Sequence, residues 1–139
     1  MLEGIQTIAT TPTDAEIVRT YLEASMVSDP DTAATYMAPG CIITFTGGRD
    51  FNHPRGPTGF NAMRYAWVKK KMDRFDVCPA KGETVVYSIG TLYGEWHDGT
   101  LFEGNRYVDR FVVRHGKIVK MDVWNDSAER ILICKGIEA

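Results

Sequence analysis

The first third of the chain has the apolar spacing of amphipathic helices. Thr13 and Glu16 form a capping-box pattern, and apolar residues then recur at helical spacing as far as Ser25. These apolar positions are Ile17, Val18, Tyr21 and Leu22. A second, short helix is predicted to start at Pro30, because proline suits the first helical position, and to end before Pro39.

The middle of the chain mixes strand and helix signals. Residues 41–46 are β-branched and bounded by glycine, which predicts a strand. Residues 47–50 are typical of a turn, and 51–57 of a loop or short edge strand, because their two prolines exclude a central strand. A third helix is expected over about 58–71, with the lysines of 69–71 solvated in its last turn. One side of that helix would carry Phe60, Met63 and Trp67.

The remainder of the chain is predicted to be a meander of β-strands. The strands span roughly residues 73–81, 84–96, 100–114 and 117–130. Asp98-Gly99 suits a two-residue hairpin turn, and Arg114-His115-Gly116 suits a three-residue loop. Helices followed by a long antiparallel meander indicate an α+β fold.

The register of the last hairpin decides which side chains share a face. With a three-residue loop, Val113 pairs with Lys117, and Asp109 falls opposite Met121. A two-residue loop would instead put Asp109 opposite Asp122, and like charges directly opposite each other are unfavourable, so we favour the first register. Asp109 then points into an apolar, aromatic concavity. The same face carries Asn105, Tyr107, Phe111, Val119, Val123 and Asn125.

Composition narrows the possible functions. The 139 residues suit a single domain, 1–139, with residues 1–10 as a loose N-terminal arm. Sixteen basic and eighteen acidic residues give a net charge of −2, so no basic surface is expected for nucleic acid. No apolar run is long enough for a membrane, and a secretion signal is not evident. Three widely spaced cysteines are interpreted as reduced thiols, and the protein as cytoplasmic.

Four stretches of the chain, taken in order, resemble the nuclear-transport-factor-2-like superfamily in its SnoaL-like and ketosteroid-isomerase-like branch. They are VRTYLEASMVSDPDTAATYMAPGCIITF, HPRGPTGF, YVDRFVVRHGKIVKM and MDVWND. The resemblance covers about residues 13–130. It implies a cone-shaped, curved antiparallel sheet wrapped around N-terminal helices and enclosing a cavity. It leaves the reaction open, because one fold hosts many activities.

The resemblance also implies roles for particular residues. Tyr21 matches the helix tyrosine that donates to the oxyanion in ketosteroid isomerases, and Asp109 matches their protonated strand aspartate. Their general-base aspartate falls on or near Phe45, which argues against steroid isomerisation by that base. Polyketide cyclases of the SnoaL type use one acid/base aspartate, which Asp109 could supply.

Four residues are catalytic candidates, each with a structural alternative. Asp109 would be the acid/base, or a carboxylate hydrogen-bonded to neighbouring groups. Tyr21 and Tyr107 would polarise a substrate oxygen, or fill the core. His53, in the loop before the third helix, would transfer protons, or lie on the surface. The substrate-binding candidates, which could equally be core or bracing residues, are Arg55, Phe60, Met63, Trp67, Phe45, Asn105, Phe111, Met121 and Asn125.

Two functions follow from these candidates. The first is a cofactor-independent enzyme, without metal, that performs acid/base chemistry on a small apolar, aromatic or polycyclic molecule: an isomerase, cyclase, dehydratase or lyase. The second is a non-catalytic small-molecule-binding or dimeric association module. A buried, fully hydrogen-bonded Asp109 with a closed cavity would favour the second. With either function, the protein is expected to form a homodimer through the outer sheet face, at Val108, Val112, Ile118 and Trp124.

Overall fold

The computed structural model describes residues 11–137, without the side chains of residues 131 and 134. The predicted N-terminal arm, residues 1–10, lies outside the described residues. The helices are α1 (Asp14–Met26), α2 (Pro30–Ala34), α3 (Arg55–Arg64) and α4 (Ser127–Cys134). The strands are β1 (Met37–Phe45), β2 (Arg49–Phe51), β3 (Tyr65–Ala80), β4 (Glu83–Trp96), β5 (Leu101–Arg114) and β6 (Lys117–Asn125). None of the helices found between residues 11 and 137 is long and apolar enough to cross a membrane.

Helix α1 begins as its sequence predicts. The Thr13 hydroxyl accepts the Glu16 amide at 3.1 Å, and the Glu16 carboxylate accepts the Thr13 amide at 2.8 Å. The apolar face of α1 is buried in the main core, where it packs with the inward residues of β1, β5 and β6. Helix α2 is shorter than predicted, because the chain joins the sheet at Met37 and continues as β1.

The six strands form one curved, unclosed sheet in the order β2-β1-β6-β5-β4-β3. Neighbouring strands are antiparallel except β1 and β6, which pair in parallel. The expected α+β fold is confirmed, and the expectation of a purely antiparallel sheet is corrected to a mixed one. The parallel pair arises because β6, at the end of the meander, is hydrogen-bonded to the strand that directly follows the N-terminal helices.

The predicted third helix is wrong beyond Arg64. Helix α3 ends there, and Tyr65 is already extended at φ −122°, ψ 147°. The following residues form β3, which pairs with β4 along nearly its whole length. Trp67 and the lysines of 69–71 therefore lie on a strand rather than on a helix. The tertiary pairing overrides their local helix preference, and their side chains alternate between the two faces of the sheet.

The last hairpin has a different register from the predicted one. Its turn contains two residues, His115 and Gly116, both with positive φ, and a bulge follows between the Val112 and Val113 pairings. Asp109 consequently lies opposite Val123 instead of Met121. The predicted face is kept, because the short turn and the bulge together shift the register by two residues.

The outer-face patch predicted for a homodimer changes with this bulge. Ile118 pairs with Val113 and is fully buried in the core, so its assignment to the outer face is wrong. Val108 pairs with Trp124 on the outer face, where Trp124 is 54% exposed, and Val112 is almost buried. The homodimer itself stays a prediction.

Two glycines of β4 allow β3 to lie unusually close to it. A Cβ added at Gly90 would collide with the carbonyl oxygen of Lys71, and one added at Gly94 with that of Trp67. Each contact lies beside a bulge of β3, one between Tyr65 and Trp67 and one after Met72. Bulges and glycines are the features that let a sheet bend sharply. We infer that this pair of contacts sets the curvature that brings β3 across the cavity.

We expect Gly90→Ala to lower the free energy of unfolding by about 1–3 kcal/mol, because the new methyl group must displace backbone. Urea denaturation measures the change. Gly59→Ala is the matched control, since Gly59 lies in α3 with open space around its Cα and alanine favours a helix. Equal stability of Gly90→Ala and wild type would contradict the close approach.

Candidate active site

A buried ion pair links two strands at the centre of the concave face. Asp109 on β5 is completely buried, and its Oδ2 lies 2.7 Å from the Nζ atom of Lys70 on β3, which is 17% exposed. The ammonium approaches off the hydrogen-bonding direction, and Asp109 Oδ1 has no hydrogen-bond partner among the described residues. The carboxylate can therefore accept further hydrogen bonds, which is uncommon for a buried polar group.

Lys70 faces inward because of its place on β3. Val68, Lys70 and Met72 alternate with exposed Trp67, Lys69 and Lys71, as the two-residue period of a strand requires. The Lys70 backbone amide also contacts the sulfur of Met26 on α1, at 3.2 Å. The only inward cation of this three-lysine run thus lies between the helix and the concave face of the sheet.

Tyr107 lies directly beside the ion pair. The Lys70 Nζ atom is 4.0 Å from the centre of the Tyr107 ring, a cation–π distance. The Tyr107 hydroxyl is hydrogen-bonded to Ser88 at 2.8 Å, and Ser88 is the cross-strand partner of Asp109. Burial raises the pKa of Tyr107 to about 12, against the opposing effect of the Ser88 hydrogen bond. The phenol is therefore neutral at physiological pH.

Tyr21 approaches the same region from α1. It is buried, and its ring packs edge-to-face on Phe111 with a centroid separation of 5.8 Å. Burial raises the pKa of the Tyr21 hydroxyl far above its usual range, and the nearby Cys41 and Asp109 act in the same direction. Tyr21 is thus also a neutral group, and it belongs to the core around α1 rather than to the one that contains Tyr65.

Two opposing effects set the charge of Asp109. Burial raises the pKa of its carboxyl, and the positive charge and hydrogen-bonding capacity of Lys70 lower it. Burial is the larger effect. The Asp109 carboxyl therefore holds its proton to a higher pH than an exposed aspartate does.

A cavity of about 220 Å³ opens beside the pair. Its apolar wall includes Phe45 and Val123 of the core around α1, Tyr65 and Leu92 of the second apolar core, and Trp67, which belongs to neither. Its polar wall includes Asn61, Arg64, Lys70 and Asn125. Asp109, Tyr21 and Tyr107 do not line it. Lys70 is therefore the member of the buried group that faces the cavity.

The cavity contains only some of the predicted binding residues. Phe45, Trp67 and Asn125 line it. The others lie around it or away from it: Phe111 and Met121 in the core, Phe60 edge-to-face with Phe45 at a centroid separation of 5.8 Å, and Met63 73% exposed. Asn105 is opposite Leu92 rather than Asn125, and it accepts a hydrogen bond from Arg130 at 3.0 Å.

The structure does not bring His53 or Arg55 to this cavity. Both border a separate depression beside Ile42, on the outer side of β1. His53 Nδ1 accepts the Arg55 amide at 3.0 Å, and the Arg55 side chain pairs with Asp31 at 3.0 Å with both groups exposed. These contacts match the alternatives given for the two residues, a surface loop position for His53 and a bracing role for Arg55.

Sequence reasoning missed Lys70 and Arg64. The run of three lysines was assigned to a solvated helix end, although the alternation of Val68, Lys70 and Met72 with polar or exposed residues has the period of a strand. Arg64 lies in the last turn of α3 and carried no sequence signal of its own. Within residues 11–137, no cluster of three or more His, Cys, Asp or Glu side chains could hold a metal ion.

Solved structures similar to this chain share its architecture. A nuclear-transport-factor-2-like protein of unknown function from Burkholderia pseudomallei has a TM-score of 0.70 at 19% identity, covering 87% of this chain and 96% of its own. TerC, crystallised with polyporic acid, has a TM-score of 0.68 at 15% identity, covering 88% and 98%. A candidate SnoaL-like polyketide cyclase from Jannaschia has a TM-score of 0.65 at 15% identity, covering 94% and 99%.

These likenesses define the fold. The chain has the nuclear-transport-factor-2-like fold, and its structural neighbours include a SnoaL-like protein, so the resemblance stated from the sequence is confirmed at the level of the fold. No family model and no curated protein matches the sequence.

Asp109 should titrate above the usual aspartate pKa of about 3.9. Asp126 is the internal control, because the Arg106 hydrogen bond lowers its pKa. Carboxyl-carbon NMR measures both. Since folded Asp109 keeps its proton to higher pH than the unfolded chain does, its contribution to stability is complete below about pH 4 and is lost as the pH rises. A pKa of Asp109 at or below the pKa of Asp126 would contradict the buried, apolar site.

Proposed function

We propose that this protein is a cofactor-independent enzyme that moves a proton in a small apolar, aromatic or polycyclic molecule bound in the cavity. The reaction classes are isomerisation, cyclisation, dehydration and lyase cleavage. The observation that carries the proposal is the Lys70–Asp109 pair, in which Lys70 Nζ lies 2.7 Å from a fully buried carboxylate and borders the cavity. Perturbed ionisable pairs beside a cavity are typical of catalytic sites.

Proton transfer in this site would run through Lys70. In the ion pair, Lys70 Nζ can pass its proton to Asp109 while it accepts one from an acidic carbon or hydroxyl of the bound molecule, which leaves a neutral carboxyl and an ammonium. The ammonium that forms stabilises the resulting anion and returns the proton to a different atom, which completes an isomerisation. In a dehydration or lyase step, the same ammonium protonates the oxygen that leaves.

Tyr107 and Tyr21 have supporting roles in this proposal. The Tyr107 ring lies under the Lys70 ammonium and its hydroxyl is held by Ser88, so Tyr107 is a positioning residue for Lys70. Tyr21 keeps the surroundings of Asp109 apolar and neutral. Neither tyrosine donates a hydrogen bond directly to the substrate in this proposal, because neither borders the cavity.

The size of the cavity narrows the substrate class. Its volume of about 220 Å³ is below the ~300 Å³ at which pockets for drug-sized ligands begin. Phe45 and Tyr65 supply aromatic residues to the cavity wall. A molecule of one or two rings suits this space better than a steroid does. The similarity of fold to a candidate SnoaL-like polyketide cyclase is compatible with an aromatic substrate.

The alternative of a non-catalytic module is less well supported. It would be expected with a closed cavity and with every polar atom of Asp109 hydrogen-bonded. Asp109 Oδ1 has no partner among the residues described, and a cavity borders Lys70.

A screen of phenolic and polyketide-like compounds, with products identified by mass spectrometry, would supply the substrate for a mutational test. Lys70→Met and Asp109→Asn should each lower turnover at least ~100-fold, because each removes one member of the proton-carrying pair. Lys71→Met, a matched loss of charge on the outward face of the same strand, should leave turnover unchanged.

Two outcomes would contradict the proposal. If Lys70→Met and Asp109→Asn keep near-normal rates while His53→Ala is inactive, the loop histidine carries the proton. If no compound of the screen is turned over but some bind, the non-catalytic alternative holds.

A further inference from the structure

Arg64 is a half-buried cation without an acidic partner. Its guanidinium lies over three aromatic rings, at 4.5 Å from the Phe60 centroid, 4.9 Å from Tyr65 and 5.6 Å from Phe45. Its one hydrogen bond among the described residues is donated to the Asn61 side chain at 2.9 Å, and its buried Nε has no partner there. No carboxylate of residues 11–137 forms a salt bridge with it.

The charges around the cavity are unbalanced. Arg64, Lys69 and Lys70 line it, and no aspartate or glutamate of residues 11–137 does, although the whole chain has a net charge of −2. Lys70 has its counter-ion in Asp109 behind the wall, and Lys69 is exposed to solvent. Of the three cations, Arg64 is half-buried against aromatic rings and has no carboxylate partner among residues 11–137, and a partly buried charge without a counter-ion is unfavourable.

We propose that Arg64 is the anion-binding residue of this cavity and that its ligand is an aromatic carboxylic acid in ionised form. The guanidinium donors match the two oxygens of a carboxylate, and the aromatic residues Phe45 and Tyr65 of the cavity wall accept the aromatic part. This inference rests on the proposed function, because the anion-binding residue and the proton-transfer pair share one cavity. It names the substrate class of that site. Arg64 holds one end of the molecule, and Lys70 faces the remainder.

Arg49 is a natural comparison within the same cluster. Its guanidinium also lies over the Phe60 ring, 4.8 Å from the centroid. It is exposed on β2, donates to the Thr46 carbonyl at 3.1 Å, and does not line the cavity. Removing its charge changes the net charge as much as removing that of Arg64 and takes a cation from the same Phe60 ring, without touching the cavity wall.

Calorimetric titration with 1-naphthoate and its neutral counterpart 1-naphthamide tests the proposal without any turnover. Wild-type protein should bind the carboxylate at least ~10-fold more tightly than the amide, as expected for one charge-assisted contact. Arg64→Gln should abolish this preference, Arg64→Lys should keep part of it, and Arg49→Gln should keep all of it. Circular dichroism of each variant checks that the fold is retained.

Equal affinity of wild type for the two compounds, a preference that survives in Arg64→Gln, or no binding of the carboxylate would each overturn the proposal. These results are separate from the catalytic test, because they are measured as binding. If the preference for naphthoate is absent, the proton-transfer roles of Lys70 and Asp109 are unaffected and are tested by the turnover experiment. Conversely, inactivity in every screen would leave a measured naphthoate preference intact.

Discussion

The site depends on one electrostatic constraint: a carboxylate that is completely buried needs a cation. Asp109 is on the concave face of β5, deep behind the cavity, and Lys70 of β3 supplies that cation at 2.7 Å. Removing either partner would leave the other charge withdrawn from water, which is strongly destabilising. Because the two strands are separated by β4 in the sheet, the contact forms only if the sheet curves enough to bring β3 over β5. The chemistry of the site and the shape of the sheet are therefore linked.

That curvature follows from backbone features of β3 and β4. Two bulges in β3 lie beside Gly90 and Gly94, where β4 has no Cβ to separate the strands. The same bend opens the cavity between the two apolar cores, one around α1 and one around Tyr65 and Tyr107. The cavity wall is consequently apolar except for a few polar groups from α3, β3 and β6. In such a cavity, a small number of charged groups determines the ligand specificity.

The sequence predicted the helical start, the α+β order and the face on which Asp109 lies, because these depend on local capping and on the two-residue period of strands. It did not predict the strand that replaces most of the third helix, since residues 65–71 pair with a segment about 25 residues further along. Lys70 was missed for the same reason. The position of His53 could not be predicted from the local sequence either, because it depends on how the β1–β2 hairpin projects from the sheet.

The energetic coupling of Lys70 and Asp109 tests the central claim most directly. A double-mutant cycle with Lys70→Met, Asp109→Asn and the double variant, measured as free energies of unfolding in urea, isolates that coupling. The account predicts a coupling of about 1–3 kcal/mol for this pair and none when Lys71→Met replaces Lys70→Met. Additivity of Lys70→Met and Asp109→Asn to within about 0.5 kcal/mol would contradict it.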